Sequence, residues 1–283
     1  MNLIKSTIHV GLERPVKLLH VTDSHLPLTD GRDDERKQAL GARRSESVGG
    51  DGRRITEYLD EQIAYAEQNC DLLVHTGDLI DFLSAPNVEK AREVVRHEKV
   101  FFIAGNHDFS RYVGEAWEDA AYRMNSYMEM GGGFGVPMFF NSRVVGGVNV
   151  VGVDNGYYRF EDWQIWRLKK EIEKGLPIIL AFHDPLFEQS LYDYHMQNAG
   201  SECTYLVGCD EEHLLPYSEF RAVQQRPDEA TLRMVELIRS EPLIKAVLTG
   251  HLHFNFESML TETLPQFVTG AGYQGDAREL TII

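Results

Sequence analysis

The chain of 283 residues should fold as an α/β protein in which two sheets face each other and share one functional rim. Two observations predict this. Segments that read as strands and helices alternate over residues 17–104, and a second such run starts at residue 178. In addition, five apolar runs stop abruptly at side chains able to bind a metal or move a proton. Leu18-Leu19-His20-Val21 precedes Asp23-Ser24-His25, and Leu72-Leu73-Val74-His75 precedes Gly77-Asp78. Phe101-Phe102-Ile103-Ala104 precedes Gly105-Asn106-His107-Asp108. Ile178-Ile179-Leu180-Ala181-Phe182 precedes His183-Asp184, and Ala246-Val247-Leu248 precedes Gly250-His251-Leu252-His253. Buried strands read as continuous apolar runs, and in such sheets ligands bind beyond the carboxyl ends of the strands.

Taken in order, residues 3–10 alternate loosely and suit an edge strand. Pro15 breaks the run, and residues 17–21 form the first core strand. Residues 26–52 are polar and carry Gly31, Gly41, Gly49, Gly50 and Gly52. They are too long for a simple connection and read as a loop inserted over the site, with a short helix near 33–40. Over residues 53–68, Ile55, Leu59, Ile63 and Ala66 recur at helical spacing. Residues 72–75 and 100–104 are strands joined by a helix at 88–97. A helix at 115–129 places Trp117, Ala121, Met124 and Met128 on one side. Residues 138–140 and 144–153 read as two strands of a hairpin-like element, with Gly146-Gly147 marking a bulge or turn. A helix at 161–174 turns Trp163, Trp166 and Ile172 inward. Residues 187–226, rich in tyrosine, histidine and acids, with Gly200, Gly208 and Pro216, read as a cap-like insertion. A helix at 228–240 carries Thr231, Leu232, Val235 and Ile238 on one face, after which a strand at 247–249 and segments 254–260, 266–269 and 279–283 close the sheets. One domain spanning 1–283 is expected.

The net charge of -16 argues against a general nucleic-acid surface, which would be basic, although a metal cluster can invert the local sign. Three cysteines make no disulfide framework. No apolar leader or membrane-length run is present, so a cytoplasmic protein without membrane partners is expected.

Divalent metals want carboxylates, imidazoles and neutral oxygens on rigid backbone. Asp23, His25, Asp78, Asn106, His183, His251 and His253 supply these at the strand ends. Seven donors are too many for one ion and suit two. His20 and His75 lie inside apolar runs and read as satisfied buried histidines.

The series Asp-x-His, Gly-Asp, Gly-Asn-His-Asp, His and Gly-His-x-His, in this order over residues 23–253, resembles the calcineurin-like metallophosphoesterase superfamily. The resemblance implies a four-layer αββα sandwich with two divalent ions, Mn²⁺, Fe²⁺ or Zn²⁺, at the sheet edges. It implies that Asp23, His25 and His253 hold one ion, that Asn106, His183 and His251 hold the other, and that Asp78 bridges. His107 would bind no metal and would stabilise charge or protonate the leaving oxygen, with Asp108 hydrogen-bonded to it as orienting carboxylate. The implied reaction is in-line attack on phosphorus by a metal-bridging hydroxide. Asp81 stands where the purple acid phosphatases carry a tyrosine, which speaks against a coloured Fe(III) centre.

The expected function is therefore hydrolysis of a small phosphate ester, by a phosphodiesterase (cyclic nucleotide or similar) or a broad phosphatase. The competing readings are an SbcD-like DNA exonuclease, which the acidic charge opposes, and a metal-free scaffold, which the complete donor set opposes. Within the cap-like segment His195 and Tyr194 are candidates for the substrate pocket. Arg32, Arg36, Arg43 and Arg44 read as a solvated charged loop, alternatively as a contact for a second phosphate.

Overall fold

The computed structural model describes residues 1–48, 53–113, 119–198 and 202–283. The glycines at 49, 50, 52 and 200 and Trp117 lie outside the described residues. Two mixed sheets carry the fold. One has the order β1-β11-β2-β3-β4, built from β1 (Asn2–Ile8), β2 (Val16–Val21), β3 (Leu72–His75), β4 (Val100–Phe102) and β11 (Asp276–Ile282). The other runs β5-β6-β7-β8-β10-β9, from β5 (Phe140–Val145), β6 (Val148–Val153), β7 (Ile178–Ala181), β8 (Ile244–Thr249), β9 (Phe256–Met259) and β10 (Pro265–Val268).

Period-two alternation explains the four layers. Leu18, Val74, Phe101, Val150, Ile179, Ala181 and Leu248 point from both sheets into one shared core. Their neighbours point outward. Leu19, Leu73 and Phe102 pack under helices of the first sheet, and Val151, Leu180 and Val247 under helices of the second. The covering helices are α2 (Arg53–Asn69) and α3 (Ala85–Val95) on one side, α5 (Asp162–Ile172) and α9 (Glu229–Ser240) on the other. Strands β2, β3 and β4 are mutually parallel, as are β6, β7 and β8. Their carboxyl ends bring all five motifs to one rim.

Several helix faces differ from expectation. Ile165 and Leu168 are the buried residues of α5, whereas Trp163 and Trp166 are 42% and 60% exposed. Both pairs have helical spacing, and side-chain size favoured the wrong pair. In α4 (Ala120–Glu129) the buried residue is Ser126, while Met124 and Met128 face solvent. In α9, Met234 takes the place expected for Leu232. The polar stretch after residue 26 holds α1 (Glu35–Val48), much longer than the short helix expected. The cap-like stretch holds α6 (Gln189–Asn198), α7 (Glu211–Leu214) and α8 (Glu219–Gln225) around its own small apolar cluster. Among the described residues no helix is long and apolar enough to cross a membrane.

Candidate metal centre

The rim is knit from backbone first. Asp23 N donates to Gly77 O (3.0 Å), His25 N to Asp78 O (2.9 Å) and Gly250 N to His183 O (3.0 Å). These loops bend sharply. Asp23, His25, Asp78, His251 and His253 all sit at φ between 45° and 67°. Non-glycine residues adopt this region at a cost, and such strain gathers at functional sites. Gly77 (φ +103°) and Gly105 let the second and third loops touch. A methyl group on Gly105 would collide with Asp78 Oδ1 and lie 2.8 Å from His183 Nδ1.

Three donor groups result among the described residues. Asp23, His25 and His253 converge, as do Asp78, His183 and His251, and a third, His25, Asp78 and His107, shares members with both, the ligand atoms of each within 4.8 Å of one another. Asp78 stands between the first two: its Oδ2 is 3.1 Å from His183 Nε2 and 3.7 Å from His25 Nε2. The tautomers are set from behind. His25 Nδ1 donates to Asp81 Oδ1 (2.9 Å) and His183 Nδ1 to Thr76 O (2.8 Å), which leaves each Nε2 for a metal. Asn155 Oδ1 accepts from the backbone of His183 and Asp184 and fixes that loop.

Does the set fit cations? Asn106 Oδ1 is a buried acceptor with no hydrogen-bond partner, and the buried Asp23 Oδ1 has only imidazole nitrogens near it, His253 Nε2 at 3.2 Å and His25 Nε2 at 3.6 Å. An unpaired buried acceptor costs about 1–3 kcal/mol, and a bound cation is the partner such atoms require. Imidazole nitrogens also face each other, His25 to His253 at 3.1 Å and His183 to His251 at 3.2 Å. The electrostatics agree. Burial alone would lower the pKa of His25, but hydrogen bonds to Asp23 and Asp81 raise it to about 10. Burial likewise opposes charge on His183, yet Asp78 and Asp23 push it well up, while burial and His183 hold His251 well down. Protons on His25 and His183 thus supply the positive charge that the buried carboxylates demand, which is the role divalent ions would take. The residues present fit two cations.

The third loop departs from expectation at Asp108. Its carboxylate does not contact His107. It accepts the backbone N–H groups of Asp78 (2.9 Å), Leu79 (3.0 Å), Ile80 (3.1 Å) and Gly105 (2.9 Å), clamping the two loops together. Burial, then the Asp78 carboxylate, push its pKa up to about 7 against those amides. The group that holds His107 is Asp81: His107 Nδ1 donates to Asp81 O (2.8 Å) and lies 3.4 Å from Asp81 Oδ1. Asp81 also accepts a two-pronged contact from Arg44 of α1, at 2.6 and 2.8 Å. Arg44 is therefore not part of a solvated loop. His20 and His75 are satisfied buried histidines, bonded to Thr76 and Thr269 and to Ser24 respectively.

Because the Asp81 carboxylate accepts from His25 Nδ1 and lies 3.4 Å from His107 Nδ1, whose bond to the Asp81 carbonyl survives the change, Asp81→Asn should lower kcat by about 10–100-fold with little loss of thermal stability. Steady-state kinetics and a melting curve on the same sample check this.

Beside the donors lies a cleft of about 390 Å³, with Asn106 and His107 on one side and Tyr158, His195, Tyr205 and Arg221 on the other. His195 lines it as expected. Tyr194 does not; it packs on Phe254 and Phe256, with ring centroids 5.2 and 5.0 Å away. Tyr158 and Tyr273 hydroxyls reach His251 Nε2 and His253 Nδ1, both at 3.3 Å. No sequence signal marked these two tyrosines, which lie outside the motifs.

Asp/His donor groups able to hold metal ions thus gather on the rim of an αββα sandwich. Residues 16–255 match the family model described as calcineurin-like phosphoesterase, and the chain belongs to that family. No curated protein matches the chain. Among solved structures it is similar to a putative 5'-nucleotidase from Staphylococcus aureus, at 16% identity and TM-score 0.47, covering 92% of this chain and 49% of that one. It is also similar to a dimetal phosphatase from Danio rerio, at 12% identity and TM-score 0.44, over 91% and 88% of the two chains. A Haemophilus influenzae NAD nucleotidase gives 12% identity and TM-score 0.41, over 91% and 45%. The chain thus spans about half the length of each nucleotidase chain. None of these distant likenesses bears on what this chain acts on.

Proposed function

We propose that this centre hydrolyses a small phosphate ester, a phosphodiester such as a cyclic nucleotide or a range of monoesters. The observation that carries the reading is the placement of Asp78 between two donor groups, beside a cleft on which His107 opens. Asp23, His25 and His253 would hold one ion, Asn106, His183 and His251 a second, and Asp78 both. Nitrogen and carboxylate donors without thiolate suit Mn²⁺, Fe²⁺ or Zn²⁺. When bound, the ions supply Lewis acidity that activates water and neutralises phosphoryl charge.

The protein's own groups do the rest. His107 Nδ1 is occupied by Asp81, so Nε2 is the nitrogen left for substrate. Burial pulls the His107 pKa down, but Asp78 and Asp81 outweigh this and raise it. A protonated imidazole there can give its proton to the leaving oxygen. From the segment 187–226, His195, Tyr205 and Arg221 line the cleft.

His107→Asn should keep the metal content and lower kcat by about 10²–10⁴-fold; loss of metal would overturn the role given to His107. A substrate screen with Mn²⁺ tests the reaction. Hydrolysis of bis-p-nitrophenyl phosphate without p-nitrophenyl phosphate supports the diesterase, and the reverse supports the monoesterase. Turnover of neither, with or without chelator, would refute the proposal.

A further inference from the structure

The part of the cleft lined by Tyr158, Tyr205, His195 and Arg221 has features the hydrolytic reading does not use. Three of the non-glycine residues with positive φ lie outside the metal donors, and all are tyrosines: Tyr157, Tyr158 and Tyr205, at 67°, 66° and 56°. For a bulky side chain this conformation is an outlier that points to a function. Two of the three line the cleft, Tyr158 and Tyr205, with ring centroids 6.2 Å apart. The Tyr205 ring in turn sits 5.5 Å from that of His251, so this aromatic wall begins directly at the donor cluster.

Above the wall stands Arg221 of α8. Its guanidinium carbon is 5.2 Å from the centre of the Tyr205 ring. It is the one Lys or Arg among the described residues lining the cleft. In a chain of net charge -16, a cation facing the site from the cap-like segment is a specific feature. Its present protein contacts are weak competitors. Nε donates to Glu202 (3.1 Å), whose side chain is 53% exposed, and Nη1 to Gln224 (2.8 Å). An exposed ion pair contributes only about 0–1 kcal/mol and yields readily to a bidentate anion. His195, 4% exposed, completes the wall and keeps a buried Nδ1 without a hydrogen-bond partner.

Resting on the phosphoesterase reading, we infer that this wall is a leaving-group subsite, selecting esters whose leaving group is planar and carries a second anionic oxygen group. The plane lies along Tyr158 and Tyr205. The second anion, a carboxylate or a phosphate, meets the Arg221 guanidinium while the reacting phosphoryl group sits among the metal donors. The volume of about 390 Å³ suits a leaving group of one or two rings.

The test uses non-hydrolysable analogues and calorimetry on the Mn²⁺-loaded protein: phenylphosphonate, 4-carboxyphenylphosphonate and 1,4-phenylenediphosphonate. At least one of the two analogues that carry a second anionic group should bind about tenfold more tightly than phenylphosphonate, and the larger gain tells carboxylate from phosphate. Arg221→Gln should abolish the gap; Arg221→Lys, which keeps the charge without the fork, should retain part of it and decides the matter if the glutamine variant does not fold. Equal affinities in the native protein, or a gap that survives Arg221→Gln, would overturn the subsite alone. Equal weakening of all three analogues in the variants would mean that Arg221 grips the reacting phosphoryl group, which also overturns it. Binding of none of them by the native protein would overturn the phosphoesterase reading together with the subsite.

Discussion

Asp78→Ala is expected to abolish turnover, lowering kcat/KM by more than about 10³-fold, and to release bound metal on dialysis. Asp78 faces both donor groups most closely, its Oδ2 lying 3.1 Å from His183 Nε2 and 3.7 Å from His25 Nε2, whereas Asp23 Oδ1 is 3.9 Å from His183 Nε2. Asp78 Oδ1 also accepts the His107 backbone N–H at 2.7 Å, so the same carboxylate fixes the start of the turn that carries His107. Losses beyond the 10–100-fold typical of a supporting contact follow from removing a shared ligand. Kinetics over a range of added Mn²⁺ check this: the loss should persist at saturating metal. Recovery of native kcat by excess metal would show that Asp78 only raises affinity.

Asp108→Ala should act differently, through stability. Four backbone N–H groups converge on that buried carboxylate, from Asp78, Leu79, Ile80 and Gly105. Leaving several buried donors unpaired costs about 1–3 kcal/mol each where water cannot replace the acceptor. A loss of about 3–5 kcal/mol, partly relieved by water, is expected, which lowers Tm by about 10 °C in a chain of this size. Asp108→Asn should recover little, since its NH₂ would oppose the amides. Thermal denaturation monitored by circular dichroism reads both. A variant of native Tm with a shifted pH–rate profile would instead return Asp108 to the orienting role that adjacency to His107 suggests.

The contrast between Asp81 and Asp108 shows where sequence reading stops. All seven candidate metal donors stand at or just beyond strand ends, and a strand buried on both faces announces its end by the break in an apolar run. Leu18–Val21 and Ile178–Ala181 are legible for that reason, and so is the rim they build. Partners across loops are not. His107 and Asp108 are neighbours in a 3₁₀ turn, where successive side chains diverge by about 120°, so the acid beside the imidazole points away from it. Asp81, the actual partner, is 26 residues distant. Arg44 and Arg221 were no more visible: each sits in a polar helix whose role is set by a tertiary contact. The inward faces of α4 and α5 are not legible for a local reason, as large apolar residues at helical spacing lie also on the exposed side.

The central claim is that two ions share this rim across Asp78. Anomalous diffraction from crystals of the Mn²⁺-loaded protein tests it most directly. Two peaks are predicted, one among Asp23, His25 and His253, the other among Asn106, His183 and His251, with the Asp78 carboxylate between them. A single peak, or none at these residues, would contradict the claim.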